Sequence, residues 1–378
     1  MKELLVRTLI RLCSSVAQAV RGWRALPDPR SVHRIVVLQM SGVGDLLLIT
    51  PALRALHRLY PEARIDLITY KLENAVFLFR LPYMRRGCEF PLFELELRRI
   101  WTPAFWLGLD RPIRFLRQEP CDLYVSFHHT WLSQWYLFEL WVAARSGARF
   151  AVGINPDCVA GSGVFDRALP ESQLGDRHYR PLFLEVVGLV GEAGNDLATE
   201  FPLEPAEIQQ ARDQVRQAMP DRHRMVCLHV GATHAAQLWP IERFLDLARR
   251  LQAEGDGIVL IGTKEERSLT EQLAGSLPPG AVLNVAGMTD LFQMAAFIDV
   301  ADLFIGNDSG PMHVAIARRR PTIGLIGPGR TRYHRYAPDE AVILKNPLPF
   351  DIRDRKDAAF PWAITVDEVY AAARNLLP

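Results

Sequence analysis

Residues 303–317 read "LFIGNDSGPMHVAIA". An apolar run typical of a buried strand ends at Asn307, and an apolar run typical of a helix follows Pro311. Pro311 suits the first turn of a helix because it has no N–H group to leave unpaired. The stretch therefore predicts a strand, a short polar loop and a helix, which is the repeating unit of a parallel α/β sheet.

The same alternation of strand-like and helix-like runs extends through both halves of the chain. The predicted strands lie at 33–39, 63–70, 122–127, 148–154, 224–232, 257–262, 281–287, 302–308 and 321–327. We expect an α/β protein with two Rossmann-like, doubly wound parallel-sheet domains that face a cleft. The predicted segments are an N-terminal extension (1–30), the two domains (31–205 and 206–345) and a C-terminal segment with a helix (346–378).

Composition narrows the class of protein. The 378 residues are 49% hydrophobic and 23% charged, which is ordinary for a globular protein. The net charge of +1 gives no reason to expect a nucleic-acid partner. The five cysteines are scattered, so we expect neither a disulfide framework nor a zinc site. This cysteine usage is consistent with a protein of the reducing cytoplasm. No apolar run is long enough to predict a membrane-spanning helix.

The N-terminal extension (1–30) has an amphipathic pattern. Its apolar positions recur at intervals of three and four residues, and it carries six basic and two acidic residues. Arg7 and Arg11 interrupt any secretion-signal core. Two interpretations stay open: a helix packed on the body or on a second subunit, or an interfacial helix lying on an anionic membrane.

The loop at 40–53, "MSGVGDLLLITPAL", looks like a phosphate-binding turn but carries an acid. Ser41, Gly42 and Gly44 form the predicted turn, with room for an acceptor. Asp45 would repel a phosphate, whereas a helix N-terminus favours an ionised carboxylate. Asp45 is therefore a candidate general base. The alternative is that Asp45 only caps the helix.

The loop at 305–315 offers a better phosphate site, because no acid lies in the first turn of its helix. Gly310 allows close approach of a ligand, and the backbone N–H groups of Met312 and His313 point towards it. Ser309 adds a hydroxyl group, and Asp308 can accept hydrogen bonds from sugar hydroxyls. The alternative is a capped helix with a satisfied histidine.

Two further loops follow predicted strands, at 229–240 and 261–268. Thr233 and His234 can line the same phosphates, and Glu265 or Glu266 can hold a ribose diol. The alternative for both acids is the preference of acidic residues for helix starts. No D-x-D pair occurs in the chain, so a carboxylate-bound divalent metal is not expected.

Together these loops resemble glycosyltransferase family 9, the ADP-heptose:lipopolysaccharide heptosyltransferases. The matching stretches are 36–69, 229–251, 259–267 and 301–328, of which "NDSGPMH" is the most specific. Residues 71–200 carry no motif that we can match. The resemblance implies a GT-B fold, with the acceptor on the N-terminal domain and the nucleotide sugar on the C-terminal domain.

The resemblance also implies an inverting, metal-independent transfer of heptose. Its general base falls on Asp45, and its donor-binding loop falls on Asp308, Ser309, Gly310 and His313. The implied partners are ADP-heptose and an anionic glycolipid of the lipopolysaccharide core, at the cytoplasmic face of the inner membrane. The basic residues expected to meet that acceptor are Arg85, Arg86, Arg98, Arg99, Arg111, Arg114 and Arg117.

One position departs from the family pattern. Members commonly have a lysine two residues before Trp-Pro, and here that position is Gln237. An amide can donate a hydrogen bond to a pyrophosphate but cannot neutralise its charge. His234, Lys264 and Arg330 are alternative sources of positive charge.

Two other functions stay open at this point. Sugar-nucleotide 2-epimerases share the two-domain architecture and use carboxylates in the cleft. A protein that binds a sugar nucleotide without transferring the sugar is the second alternative, suggested by Gln237.

Overall fold

The computed structural model describes residues 8, 11–12, 15–16, 24–90, 102–127, 134–157, 159, 163–174, 177–232, 237–327, 336–347 and 362–377. The chain divides into two compact units, Met1–Thr199 and Glu200–Pro378. Each unit contains a six-stranded, all-parallel sheet with helices packed around it. The predicted α/β class is therefore confirmed.

The first unit has the strand order β3-β2-β1-β4-β5-β6. Its strands are β1 (Arg34–Gln39), β2 (Arg64–Thr69), β3 (Met84–Glu89), β4 (Leu123–Ser126), β5 (Phe150–Asn155) and β6 (Arg167–Pro170). Its helices are α1 (Val43–Leu48), α2 (Thr50–Leu59), α3 (Pro103–Arg117), α4 (Gln134–Arg145) and α5 (Tyr179–Gly188). Strands β1, β4 and β5 are buried along their whole length, as expected for parallel strands covered on both faces.

The apolar run after Asp45 forms two helices. α1 ends at Leu48 and α2 begins at Thr50, with Pro51 in its first turn. Pro51 has no N–H group to continue the first helix, so the Leu47 carbonyl accepts instead from the Thr50 hydroxyl at 2.8 Å.

The second unit repeats the same order, since its sheet reads β9-β8-β7-β10-β11-β12. Its strands are β7 (Met225–His229), β8 (Gly257–Ile261), β9 (Val282–Asn284), β10 (Leu303–Asn307), β11 (Thr322–Ile326) and β12 (Val342–Lys345). Its helices are α6 (Pro205–Ala218), α7 (Ile241–Ala253), α8 (Arg267–Gly275), α9 (Leu291–Val300), α10 (Gly310–Ala317) and α11 (Val366–Leu376). The order reverses between β1 and β4 and between β7 and β10, and ligands of doubly wound sheets bind beyond the carboxyl ends of such strands.

Two of the arginines expected to face an acceptor are instead held in a network on β2 and β3. The buried Asp66 carboxylate accepts from Arg34 at 2.8 Å and from Arg85 at 2.6 Å. Glu119 accepts from Arg85 at 2.7 Å and from Arg86 at 2.9 Å. Burial raises the pKa of Asp66, but the two arginines outweigh it and bring the pKa below its ordinary value. These charges stabilise the sheet edge; Arg98 and Arg99 lie outside the described residues.

Of the N-terminal extension before Arg24, the structure describes Thr8, Arg11, Leu12, Ser15 and Val16, all of them helical. The rest of the predicted amphipathic helix lies outside the described residues. Within the part of the chain that is described, no helix has the length and apolar character needed to cross a bilayer.

Candidate active site

The acidic loop of the first unit follows β1, at the reversal point of its sheet. Gly42 is the N-cap of α1, and Asp45 lies half-buried in the first turn of that helix. The interpretation of Asp45 as the helix cap is therefore wrong. The N–H groups at the start of α1 favour a negative charge at this position.

The residues beside Asp45 leave space and an unused polar atom. Gly42 is exposed, and a Cβ atom added there would meet nothing within 4 Å. Gly44 is half-buried within α1. The Oγ atom of Ser41 is buried and has no hydrogen-bond partner among the described residues. A small polar ligand would fit this loop without displacing a side chain.

In the second unit, the Asp308–Ser309 loop joins β10 to α10. The buried Asp308 carboxylate accepts a hydrogen bond of 2.9 Å from the side-chain nitrogen of Gln237. Ser309 is the N-cap of α10, and its hydroxyl lies 3.0 Å from the Asn307 carbonyl oxygen and 2.9 Å from Nδ1 of His229. Gly310 is the first residue of α10.

The first turn of α10 contains two further predicted site residues. The Met312 side chain is fully buried, and its N–H group donates to the Ser309 carbonyl at 3.2 Å. That N–H group is thus used within the protein. His313 is also buried, and its Nδ1 atom lies 2.5 Å from the hydroxyl of Tyr336. Tyr336 therefore fixes the orientation of the imidazole ring.

Glu266, rather than the exposed Glu265, joins the cluster. Its Oε2 atom lies 3.3 Å from Nε2 of His229 and accepts from the Thr263 N–H group at 2.8 Å. Burial raises the pKa of Glu266, but the hydrogen bond and charge of His229 and the hydrogen bonds from Thr263 outweigh it, so the pKa lies below its ordinary value. The carboxylate is an ionised acceptor suited to a ribose diol.

Asn307 connects the strand ends from inside the sheet. Its Oδ1 atom accepts from the Trp239 N–H group at 3.1 Å, and its Nδ2 atom donates to the carbonyls of Val230 at 2.9 Å and Gly231 at 3.3 Å. This fully buried amide ties the loop after β7 to the end of β10. The tie holds the Gln237 region against Asp308.

The predicted site is thus brought together in part. Thr233, His234 and Arg330 lie outside the described residues. Lys264 is exposed. His229 and Asn307 lie within the predicted strands at 224–232 and 302–308, where the sequence indicates no functional role for them. In the structure they are the last residues of β7 and β10. Tyr336 gives no sequence signal, because it lies 23 residues beyond His313 and outside the matched motifs.

No group of three or more His, Cys, Asp or Glu side chains that could hold a metal ion occurs among the residues described above. The acids of the second unit, Asp308 and Glu266, are held by Gln237, His229 and Thr263.

Comparisons with known proteins agree on the class. The sequence model "Glycosyltransferase family 9 (heptosyltransferase)" matches residues 174–358. The chain is 25% identical to lipooligosaccharide heptosyltransferase 2 of Haemophilus ducreyi, over 82% of this chain and 88% of that protein. A glycosyltransferase family 9 structure from Veillonella parvula has a TM-score of 0.72 at 19% identity, covering 93% and 98% of the two chains. An E. coli heptosyltransferase solved with ADP has a TM-score of 0.66 at 16% identity, covering 91% and 99%.

The two parallel sheets match the GT-B fold of these solved structures. The family model and the heptosyltransferase relatives support membership of glycosyltransferase family 9 and indicate that the chain is a glycosyltransferase. The alternative of a 2-epimerase gains no support from these relatives, which are heptosyltransferases.

Proposed function

We propose that the chain transfers heptose from ADP-heptose to the lipopolysaccharide core, with inversion at the anomeric carbon. The observation that carries the proposal is the cluster at the ends of β10, β7 and β8, where Asp308, His313 and Glu266 lie around the start of α10. The curated relatives are heptosyltransferases, which supports heptose as the sugar. A heptosyltransferase of similar fold was solved with ADP, which supports ADP as the carrier.

Each group of the second unit has a role that its chemistry suits. The ionised Glu266 accepts hydrogen bonds from the ribose hydroxyls, and Asp308 accepts from hydroxyls of the sugar. The N-terminus of α10 and the ring of His313 stabilise the negative charge that develops on the departing diphosphate. No metal ion is required in this scheme, which follows the family resemblance.

Asp45 of the first unit is the proposed general base. Its carboxylate takes the proton of an acceptor hydroxyl as that oxygen attacks the anomeric carbon. The bond from the anomeric carbon to the diphosphate oxygen breaks as the new glycosidic bond forms, so ADP leaves with the bonding electrons. Such a base contributes about 10²–10⁴ in rate.

We also propose that the enzyme works in the cytoplasm as a peripheral protein on the inner membrane. Two apolar side chains of α3 support this, since Trp106 is 50% and Leu107 58% exposed. They line a cavity of about 460 Å³ together with Pro103, Leu109, Asp110 and Trp141. The exposed Arg111 lies one turn beyond Leu107 on α3, and the exposed Arg145 lies 5.1 Å from the ring centroid of Trp141. A mixed aromatic and basic surface is suited to anionic headgroups.

A donor screen tests the proposed function. The full chain is incubated with heptose-deficient lipopolysaccharide core and one of ADP-heptose, UDP-, GDP- or dTDP-sugars, and both nucleotide release and the acceptor mass are followed. We expect ADP release together with one added heptose, and only when acceptor is present. Epimerised sugar without transfer, or transfer from another nucleotide alone, would contradict the proposal.

A further inference from the structure

His229 bridges two functional groups of the second unit. It ends β7, and only 4% of its side chain is exposed. Its Nδ1 atom lies 2.9 Å from Oγ of Ser309, and its Nε2 atom lies 3.3 Å from Oε2 of Glu266. The two partners follow β10 and β8, the strands on either side of β7. One imidazole therefore spans the three strand ends.

Proton counting fixes what His229 offers to Glu266. In the first arrangement, the Ser309 hydroxyl donates to the Asn307 carbonyl at 3.0 Å. The hydroxyl oxygen must then accept from Nδ1–H of His229, because its only proton is already used. The imidazole must also carry a proton on Nε2 to donate to the Glu266 carboxylate. If the hydroxyl donates to Nδ1 instead, the neutral histidine has its proton on Nε2. In both arrangements Nε2–H donates to Glu266, because a bare nitrogen lone pair facing a carboxylate would be repelled.

The space for Glu266 is set by glycine. A Cβ atom at Gly231 would lie 1.7 Å from Oε1 of Glu266, and one at Gly262 would lie 3.0 Å from Oε2. The Thr263 N–H group holds the same oxygen as His229, at 2.8 Å. The carboxylate is thus confined by backbone on one side and directed by His229 on the other.

We infer that His229 is the positioning residue of the nucleotide subsite, directing the Glu266 carboxylate towards the ribose diol and tying it to the Ser309 loop. The inference rests on the proposed function, since it assumes that the second unit binds the ADP portion of the donor. One consequence concerns Ser309. Its single hydroxyl proton is directed to Asn307 or His229, so the Ser309 hydroxyl organises the loop and does not donate to a phosphate.

Two matched substitutions separate the two links of His229. The side-chain amide of asparagine can take the place of Nδ1, donating through its nitrogen or accepting through its oxygen, so His229→Asn keeps the link to Ser309 and loses the one to Glu266. The longer glutamine can place its nitrogen near Nε2, so His229→Gln keeps the link to Glu266. Titration calorimetry of the full chain with ADP and with 2′,3′-dideoxy-ADP then measures how much each variant gains from the ribose hydroxyls.

We expect the wild-type protein to prefer ADP over the dideoxy nucleotide by tenfold or more, because buried polar groups are left unpaired by the analogue. His229→Asn should lose most of that preference, and His229→Gln should keep most of it. Adding Glu266→Ala to His229→Asn should reduce the preference little further. With ADP-heptose, His229→Asn should raise KM and leave kcat nearly unchanged, because the lost contact is made equally in the ground and transition states.

The outcomes separate failure of this inference from failure of the proposed function. If the wild-type protein binds no ADP, the proposed function is overturned. If it binds ADP with a ribose preference that His229→Asn retains, the positioning role is overturned and the proposed function stands. A His229→Asn variant that weakens both nucleotides equally points to a general packing role and also overturns the inference. Should His229→Asn fail to fold, a His229→Gln variant without ribose preference would contradict the inference in its place.

Discussion

The side-chain nitrogen of Gln237 donates a hydrogen bond of 2.9 Å to Oδ2 of Asp308, and both side chains are buried. In the family that the sequence resembles, a lysine is common at the position of Gln237. The amide donates to the Asp308 carboxylate without adding a charge. In the proposed mechanism, the donor diphosphate therefore meets one positive charge fewer at this position than it would beside a lysine.

Replacing Gln237 by lysine should strengthen donor binding. A charged donor makes a stronger hydrogen bond to phosphate than an amide does, so we expect Gln237→Lys to lower KM for ADP-heptose by roughly tenfold. Steady-state kinetics measures this, with Gln237→Ala as the matched control, which should raise KM. Equal KM values for the lysine and alanine variants would show that this position does not contact the donor.

Tyr336 should matter through His313. Removing its hydroxyl with Tyr336→Phe frees the imidazole ring to rotate, and we expect Kd for ADP to rise by about threefold to tenfold. The control is Tyr370→Phe. Tyr370 lies on α11, and its hydroxyl donates to Glu254 at 3.3 Å, so we expect its removal to leave Kd for ADP unchanged. An unchanged Kd for Tyr336→Phe would show that the orientation of the His313 ring by Tyr336 does not contribute to ADP binding.

Glu139 should make stability depend on pH. Glu139 is buried on α4 and accepts a hydrogen bond from the Ser126 hydroxyl. Burial raises the pKa of Glu139 to about 8, because it outweighs the opposing effect of that hydrogen bond. A raised pKa means that the folded state holds the proton more tightly, so the free energy of unfolding should fall as pH rises from about 5 to 8. Urea unfolding at several pH values measures the slope.

Glu139→Gln is the matched variant, since it is neutral throughout that range and similar in shape. It should lose most of the decline in stability between pH 5 and pH 8. A variant with the same decline as the wild-type protein would assign the pH dependence to other groups.

The exposed apolar side chains of the N-terminal extension should contribute to membrane binding. Leu12 is 62% and Val16 56% exposed. We expect the double substitution Leu12→Asp, Val16→Asp to reduce sedimentation with anionic vesicles severalfold, because each aspartate removes apolar contact and adds repulsion. The control is the double substitution Thr8→Asp, Ser15→Asp, which adds the same negative charge but removes no apolar side chain. An identical loss in both variants would indicate a purely electrostatic attachment.

Much of the fold follows from local pattern, and the exceptions have physical causes. The central strands β1, β4, β7 and β10 are continuous apolar runs, since both faces of a parallel sheet are covered. Strand β3 is not predictable in this way, because it lies at the sheet edge and carries Arg85 and Arg86, whose charges are paired with Asp66 from β2 and with Glu119. That pairing is a tertiary contact that no local pattern contains.

The candidate site shows the same division. Asp45, Asp308 and Glu266 follow strands, so their place at the sheet edge could be read from the sequence. The role of His229 could not, because it depends on the neighbouring positions of β8 and β10. The contact between Tyr336 and His313 could not be predicted either, because the two residues are 23 positions apart and no local pattern pairs them.

We propose that Asp45 is the base in a sugar transfer from ADP-heptose. The most direct measurement compares turnover of the wild-type protein and Asp45→Asn with ADP-heptose and heptose-deficient core, alongside Kd for ADP and the unfolding midpoint. Our account predicts a fall in kcat of about 10²–10⁴ with Kd and the midpoint unchanged. Near-normal turnover by a folded Asp45→Asn protein would contradict it.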